Sequence, residues 1–206
     1  MTDHFAVLGE PRLPWLDAGA LKEKFLALSS AIHPDRVATA SETEKQAAQA
    51  HSTQLNAAYQ CLSDPKSRLQ HLLELELGTK PSGIERPPAD LVELFPQTGR
   101  LCREVDAFLD ERARTTSPLL KARLFARGLE CTERLNQFQK ALRLKAAVMD
   151  EQLKAMNGAW HKAPAIGDDA RAQSLPLESL HEVYRTISYL KRWTEQIQER
   201  AVQLSL

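Results

Sequence analysis

This chain of 206 residues has three cysteines, eight glycines and 6% aromatic residues, and its 27 basic and 27 acidic side chains cancel. Each shortage excludes something. Cys61, Cys102 and Cys131 are widely spaced and odd in number, so they indicate neither a disulfide framework nor a local metal clip. Cys61, beside Leu62, reads as a small packing residue. Zero formal charge argues against a nucleic-acid binder dominated by phosphate contacts. The cluster Arg112, Arg114, Lys121, Arg123 and Arg127 is adequately explained as a solvated helix face. No apolar run approaches the roughly 20 residues that cross a bilayer. Met1-Thr2-Asp3-His4 lacks both parts of a signal peptide, so a cytoplasmic location is expected.

Motifs of catalysis are missing too. There is no phosphate loop, no dinucleotide fingerprint and no His-Glu-x-x-His. His4, His51, His71, His161 and His181 show no ligand spacing, and Trp15, Trp160 and Trp193 are too dispersed for a stacking platform. No enzyme activity, cofactor or metal is expected.

What is present is helical periodicity, interrupted at one informative place. Leu21, Phe25, Leu28 and Ile32 recur at steps of four, three and four, behind Asp17 as a plausible N-cap. Then comes His33-Pro34-Asp35-Arg36, where Pro34 ends the helix for want of an N–H. Ser41 and Glu44 form a capping box. After it Ala48, His51, Leu55, Ala58, Tyr59 and Leu62 repeat at helical spacing. The short connection predicts antiparallel neighbours, with Ala47, Ala48 and Ala58 allowing close approach. Phe5, Val7 and Leu8, ended by Gly9 and Pro11, predict a small helix lying across the pair. His-Pro-Asp occurs by chance in on the order of one chain in a hundred of this length. On its own it is an ordinary turn; between two matched helices it presents an imidazole, a rigid ring and a carboxylate together.

The run His4 to Leu77 resembles a J domain. The resemblance rests on Phe5-Ala6-Val7-Leu8-Gly9, on His33-Pro34-Asp35-Arg36, and on Asn56-Ala57-Ala58-Tyr59 through Ser63-Asp64-Pro65-Lys66-Ser67-Arg68. It implies a protein that binds a DnaK-type heat-shock ATPase and stimulates its hydrolysis. Under that resemblance Asp35 makes a charge-assisted contact to a partner arginine, Pro34 pre-shapes the loop and His33 adds a directional hydrogen bond. The basic second helix of the family is thin here: it offers Lys22 and Lys24 with Glu23 between them, plus Arg36, and Ile32 stands where the family has tyrosine. Weaker electrostatic steering and a specialised ATPase partner follow.

Downstream, Pro65 is placed to open a helix capped by Asp64, with Leu69, Leu72, Leu73 and Leu75 on its apolar face. Gly78-Thr79-Lys80-Pro81-Ser82-Gly83 and Pro87-Pro88 mark a linker. The expected organisation is all-α: a J domain over 1–77, a linker over 78–88 and a three-helix bundle over 89–206. Val105, Phe108 and Leu109 mark the first bundle helix. Leu119, Leu120, Leu124, Phe125, Leu129, Leu135, Phe138, Leu142, Val148 and Leu153 mark the second, after Thr116-Ser117-Pro118. Leu180, Val183, Tyr184, Ile187, Leu190 and Ile197 mark the third. Gly158 to Pro176 reads as a long, mobile polar connection.

A J domain followed by a three-helix bundle resembles the HscB family, the J-type co-chaperones of iron–sulfur cluster assembly. Supporting residues are Leu69 to Leu75 and Tyr189-Leu190-Lys191-Arg192. The resemblance implies two partners: a DnaK/HscA-type ATPase, and an IscU-like scaffold protein held by the bundle. A bacterial source is expected. For the client surface it points to Leu91, Val92 and Phe95, and to Glu104 as counterpart of a family glutamate. The competing reading makes the apolar three bundle core. Pro96 and Gly99 are expected to interrupt the helix there. Two alternatives stay open: a J-type co-chaperone for an unrelated client, and a helical adaptor without effect on an ATPase.

Overall fold

The computed structural model describes residues 2–31, 41–81 and 87–205, and every regular element among them is helical. Eight α-helices run in chain order: α1 His4–Leu8, α2 Ala18–Ala31, α3 Glu42–Ser63, α4 Pro65–Leu77, α5 Leu94–Arg114, α6 Pro118–Lys162, α7 Arg171–Ser174 and α8 Leu177–Ser205. A 3-10 turn, Ala89–Leu91, precedes α5. No described helix is long and apolar enough to cross a membrane.

The backbone divides into two compact units. The first holds Met1–Ser82 with Gln152–Tyr184, and the second Gly83–Glu151 with Arg185–Leu206. The first division falls inside the 78–88 stretch expected as linker, but residues 152–184 group with the N-terminal part instead of completing a chain-contiguous bundle.

In the first unit the local signals act where they stand. Asp3 caps α1 by accepting from the Phe5 and Ala6 N–H groups, and Gly9 closes that helix in the left-handed region at φ 63°. Asp17 accepts from the Ala20 N–H at 2.7 Å. The Ser41–Glu44 capping box is complete. Its Ser41 hydroxyl and N–H hold the Glu44 carboxyl below the ordinary carboxylate range. Asp64 ends α3 and caps α4, with Pro65 at the first helical position, where a missing N–H is harmless. Phe5, Leu8, Leu55, Ala58, Leu62, Leu69, Leu72 and Leu73 are fully or almost fully buried.

Arg68 is the polar centre of this unit. It is buried, its Nε donates to the Pro14 carbonyl at 3.0 Å, and its Nη1 donates to the Leu62 carbonyl at 2.7 Å. The second bond satisfies a carbonyl in the last turn of α3 that no intrahelical N–H can reach, and brings positive charge to that helix's negative end. The same guanidinium ties down the extended segment before α2.

The segment after α6 departs from expectation. Residues 158–162 belong to α6 and 171–174 form α7, so the connection is short and anchored. Arg171 makes a two-pronged pair with Glu76 at 2.8 and 2.9 Å and donates to the Pro164 carbonyl at 2.7 Å. Gly158 costs α6 about 1 kcal/mol relative to alanine. Burial of Trp160 two residues later offsets that.

In the second unit and along α6 the buried positions are narrower than the sequence pattern. Leu135, Leu142 and Met149 recur every seven residues, flanked by Leu124, Leu153 and Trp160. Leu119, Leu120, Phe125, Leu129 and Val148, which carry the apolar spacing of the second bundle helix, are exposed. A helix of this length contacts its neighbours along a seam, not over its whole apolar arc. Gly128 sits against Phe108 of α5, where an added Cβ would come within 3.3 Å of the ring.

Pro96 and Gly99 do not interrupt α5, contrary to the sequence reading. Pro96 is the third residue of the helix. There its N–H would have no intrahelical partner, and the carbonyl its ring could strike lies before the helix. Leu91 is likewise corrected: it is fully buried, a core residue and not a contact surface.

Two stability measurements follow. Arg68→Ala should lose about 2–4 kcal/mol, because two carbonyls are left without a charged donor; Arg68→Lys should recover only part. Chemical denaturation of both variants checks this, and an unshifted midpoint for Arg68→Ala would contradict it. Leu91→Ala should cost about 2–5 kcal/mol, whereas Val92→Ala should stay within about 0.5 kcal/mol. Equal effects would remove the distinction between core and surface at this turn.

Candidate functional site

His33, Pro34, Asp35 and Arg36 lie outside the described residues; the helices on either side are described. Phe25 of α2 stacks on Tyr59 of α3 with ring centroids 4.2 Å apart and planes 13° from parallel. Leu21 from α2 and Leu55, Ala58 and Leu62 from α3 are buried. Of the three alanines expected to permit close approach, Ala58 is fully buried, Ala48 is half-buried and Ala47 is exposed.

The two lysines expected on the basic face differ. Lys22 is exposed. Lys24 folds back onto the end of α1, where its Nζ donates to the Gly9 carbonyl at 2.6 Å and pairs with Glu10 at 2.9 Å. A cation there complements the carbonyl end of α1. Lys24 therefore serves the packing of α1 on α2, and the free positive charge of α2 is thinner than its sequence suggests.

On the second unit, Val92 and Phe95 are about half exposed, at 54% and 52%. Phe95 lies 6.4 Å from the ring of Trp193, which in turn lies 5.5 Å from Tyr189. Together α5 and α8 form an open cleft of about 930 Å³ with Phe95, Pro96, Tyr189 and Trp193 in its walls and Arg103 and Arg192 among its polar members. Cys102 also lines it, its thiol pushed up by burial. Arg200 bonds Asp106 at 2.7 Å, and that bond raises its already high pKa.

Glu104 is not part of this surface. It pairs with Arg134 of α6 and lines a separate cleft with Leu101 and Phe138. Nine residues separate it from Phe95, about 900° of helical rotation, so the two project from opposite sides of α5. Tyr189 and Trp193 are the aromatic partners that sequence reasoning left out of this surface. Their spacing of four on α8 was the available signal.

A third grouping has no sequence motif at all. His4, Cys61 and His71 bring potential ligand atoms within 4.8 Å of one another. The His4 N–H donates to His71 Nε2 at 3.0 Å, and the two rings lie 4.6 Å apart. Burial and the neighbouring His4 hold His71 below the usual histidine range, so its neutral form is favoured. Burial, reinforced by Asp64 and Glu74, pushes the Cys61 thiol up to about 11.

No protein-family model matches the chain. Several proteins named as co-chaperone HscB homologues do. That of Bordetella avium (strain 197N) is 36% identical over 115 residues, covering 54% of this chain and 66% of its own. That of Bordetella petrii is 42% identical over 94 residues, covering 44% and 55%. That of Chromobacterium violaceum is 35% identical over 91 residues, covering 44% and 52%. The chain thus spans about half to two thirds of the length of these relatives. The fold extends further. The structure of HscB from Vibrio cholerae superposes with a TM-score of 0.57 at 23% identity, over 98% of this chain and 99% of that one. Human HscB superposes with a TM-score of 0.56 at 22% identity, over 97% and 82%. The sequence relatives and the shared all-helical fold together establish that this chain belongs to the HscB family of co-chaperones.

Proposed function

We propose that this protein is a J-type co-chaperone of iron–sulfur cluster assembly, which stimulates the ATPase of a DnaK/HscA-type chaperone and delivers an IscU-like scaffold protein to it. It activates a partner enzyme and performs no chemistry of its own. The observation that carries this reading is the position of His33-Pro34-Asp35-Arg36 between two helices packed through Phe25 and Tyr59. Activation requires better binding to one conformation of the ATPase than to another. Couplings of that kind amount to about 1–3 kcal/mol. Asp35 supplies the charge-assisted contact, and Arg36 and Lys22 supply positive charge.

Val92 and Phe95, the latter backed by Trp193 and Tyr189, are the scaffold-binding surface in this account. An apolar anchor half exposed over buried aromatics can bury its remaining area on a partner with little reorganisation. A chain that holds scaffold and ATPase together raises the effective concentration of one at the other. An interruption of α5 at Pro96 would favour an unrelated client, and α5 runs through Pro96 without one. Lys24's engagement with α1 favours the helical adaptor as the second reading, since it thins the charge available for docking. In this account the protein acts in the bacterial cytoplasm.

Steady-state ATP hydrolysis by the partner chaperone separates these readings. Wild type should raise turnover severalfold. His33→Gln and Asp35→Asn, with helicity intact by circular dichroism, should abolish the increase. Val92→Ala/Phe95→Ala should keep it, yet capture at least tenfold less scaffold. Full stimulation by the His33 and Asp35 variants would overturn the docking assignment, and scaffold capture unmoved by the double variant would overturn the client surface.

A further inference from the structure

We propose that His4, Cys61 and His71 form a binding site for a zinc-class divalent cation, one nitrogen from each imidazole and the Cys61 sulfur serving as ligands. The three residues come from α1, α3 and α4, all within the first compact unit. Along the chain they are far apart, which is why no ligand spacing marks them. The fold brings their ligand atoms within 4.8 Å of one another. Tetrahedral zinc with Zn–N of about 2.0–2.1 Å and Zn–S of about 2.3 Å needs these ligands about 3.3–3.6 Å apart. Side-chain rotation of roughly an ångström closes that gap.

A second observation points to a missing partner. His4 Nδ1 is buried and has no hydrogen-bond partner. A buried imidazole nitrogen left this way is unfavourable, and a cation supplies what it lacks. His71 Nε2 now accepts from the His4 N–H at 3.0 Å, so on binding that lone pair turns from the amide to the cation. Cys61 now donates its S–H to the Ser67 carbonyl at 3.6 Å. On binding, that proton leaves to solvent and the thiolate's negative charge is met by the metal. Two imidazoles and a thiolate suit zinc, cobalt or copper and not calcium or magnesium.

The surrounding charges favour a cation. Asp64 and Glu74 face Cys61, and Asp3 and Glu74 face His71. The nearby cations are engaged elsewhere: Arg12 with Asp3 at 2.8 Å, and Arg68 with the Pro14 and Leu62 carbonyls. Three protein ligands leave one position for water. The bound ion joins α1 to both α3 and α4, so its physical effect is to hold α1 in place.

Cobalt titration of the full-length, reduced, metal-stripped protein tests the site. One equivalent should bind saturably and give the near-ultraviolet charge-transfer band of a thiolate–cobalt bond, displaced by zinc. Cys61→Ser should abolish the band, His71→Ala should weaken binding at least tenfold, and Cys102→Ser/Cys131→Ser should leave both unchanged. A readout on the unaltered protein guards against misfolded variants. Zinc should shield Cys61, but not Cys102 or Cys131, from alkylation as measured by peptide mass spectrometry. Absence of the band, its survival in Cys61→Ser, or unchanged alkylation of Cys61 would each overturn the proposal.

Discussion

The contact between α2 and α3 is the constraint on which the functional account rests. Phe25 and Tyr59 stack at 4.2 Å, and Leu21, Leu55, Ala58 and Leu62 are buried around them. A two-helix contact is marginal by itself, since helices of this length draw most of their stability from packing. Here α1 and α4 complete the layer. Lys24 ties the end of α1 to α2, and Arg68 ties the end of α3 to α4 and to the segment before α2. Two cations at two helix ends thus do structural service that their sequence positions suggest only weakly.

Much of the first unit was legible because its signals are local. A capping box, an Asp-Pro helix start and an Asp N-cap each act over three or four residues, so their geometry follows from sequence alone. The errors arose where tertiary context decides. Pro96 carries the sequence signal of a helix breaker, yet in the first turn a proline removes no bond. Gly158 carries the sequence signal of a loop start, but the helix continues and Trp160 is buried. Leu119, Leu120, Phe125 and Leu129 carry helical apolar spacing, but the core takes only the seven-residue seam through Leu135, Leu142 and Met149. Periodicity states that a face is apolar, not how much of it is covered.

The functional residues divide along the same line. His33-Pro34-Asp35, the proposed ATPase-docking string, is contiguous in the sequence and lies outside the described residues. The surface at Phe95 needs α8 beside α5, and only coordinates show that Glu104 stands on the opposite side of α5 while Trp193 stands beneath Phe95. Leu91 shared the apolar spacing of Val92 and Phe95, and burial alone separates them. The His4, Cys61 and His71 cluster draws on three helices, beyond the reach of any spacing rule.

The central claim is that the segment between α2 and α3 is what the partner ATPase grips. The most direct measurement is amide chemical-shift mapping of the labelled protein during titration with the ATP-bound chaperone. The account predicts that His33, Asp35, Arg36 and the Lys22 face of α2 shift or broaden first, with α5 and α8 unmoved. Perturbations confined to α5 and α8, with the residues around Asp35 silent, would contradict it.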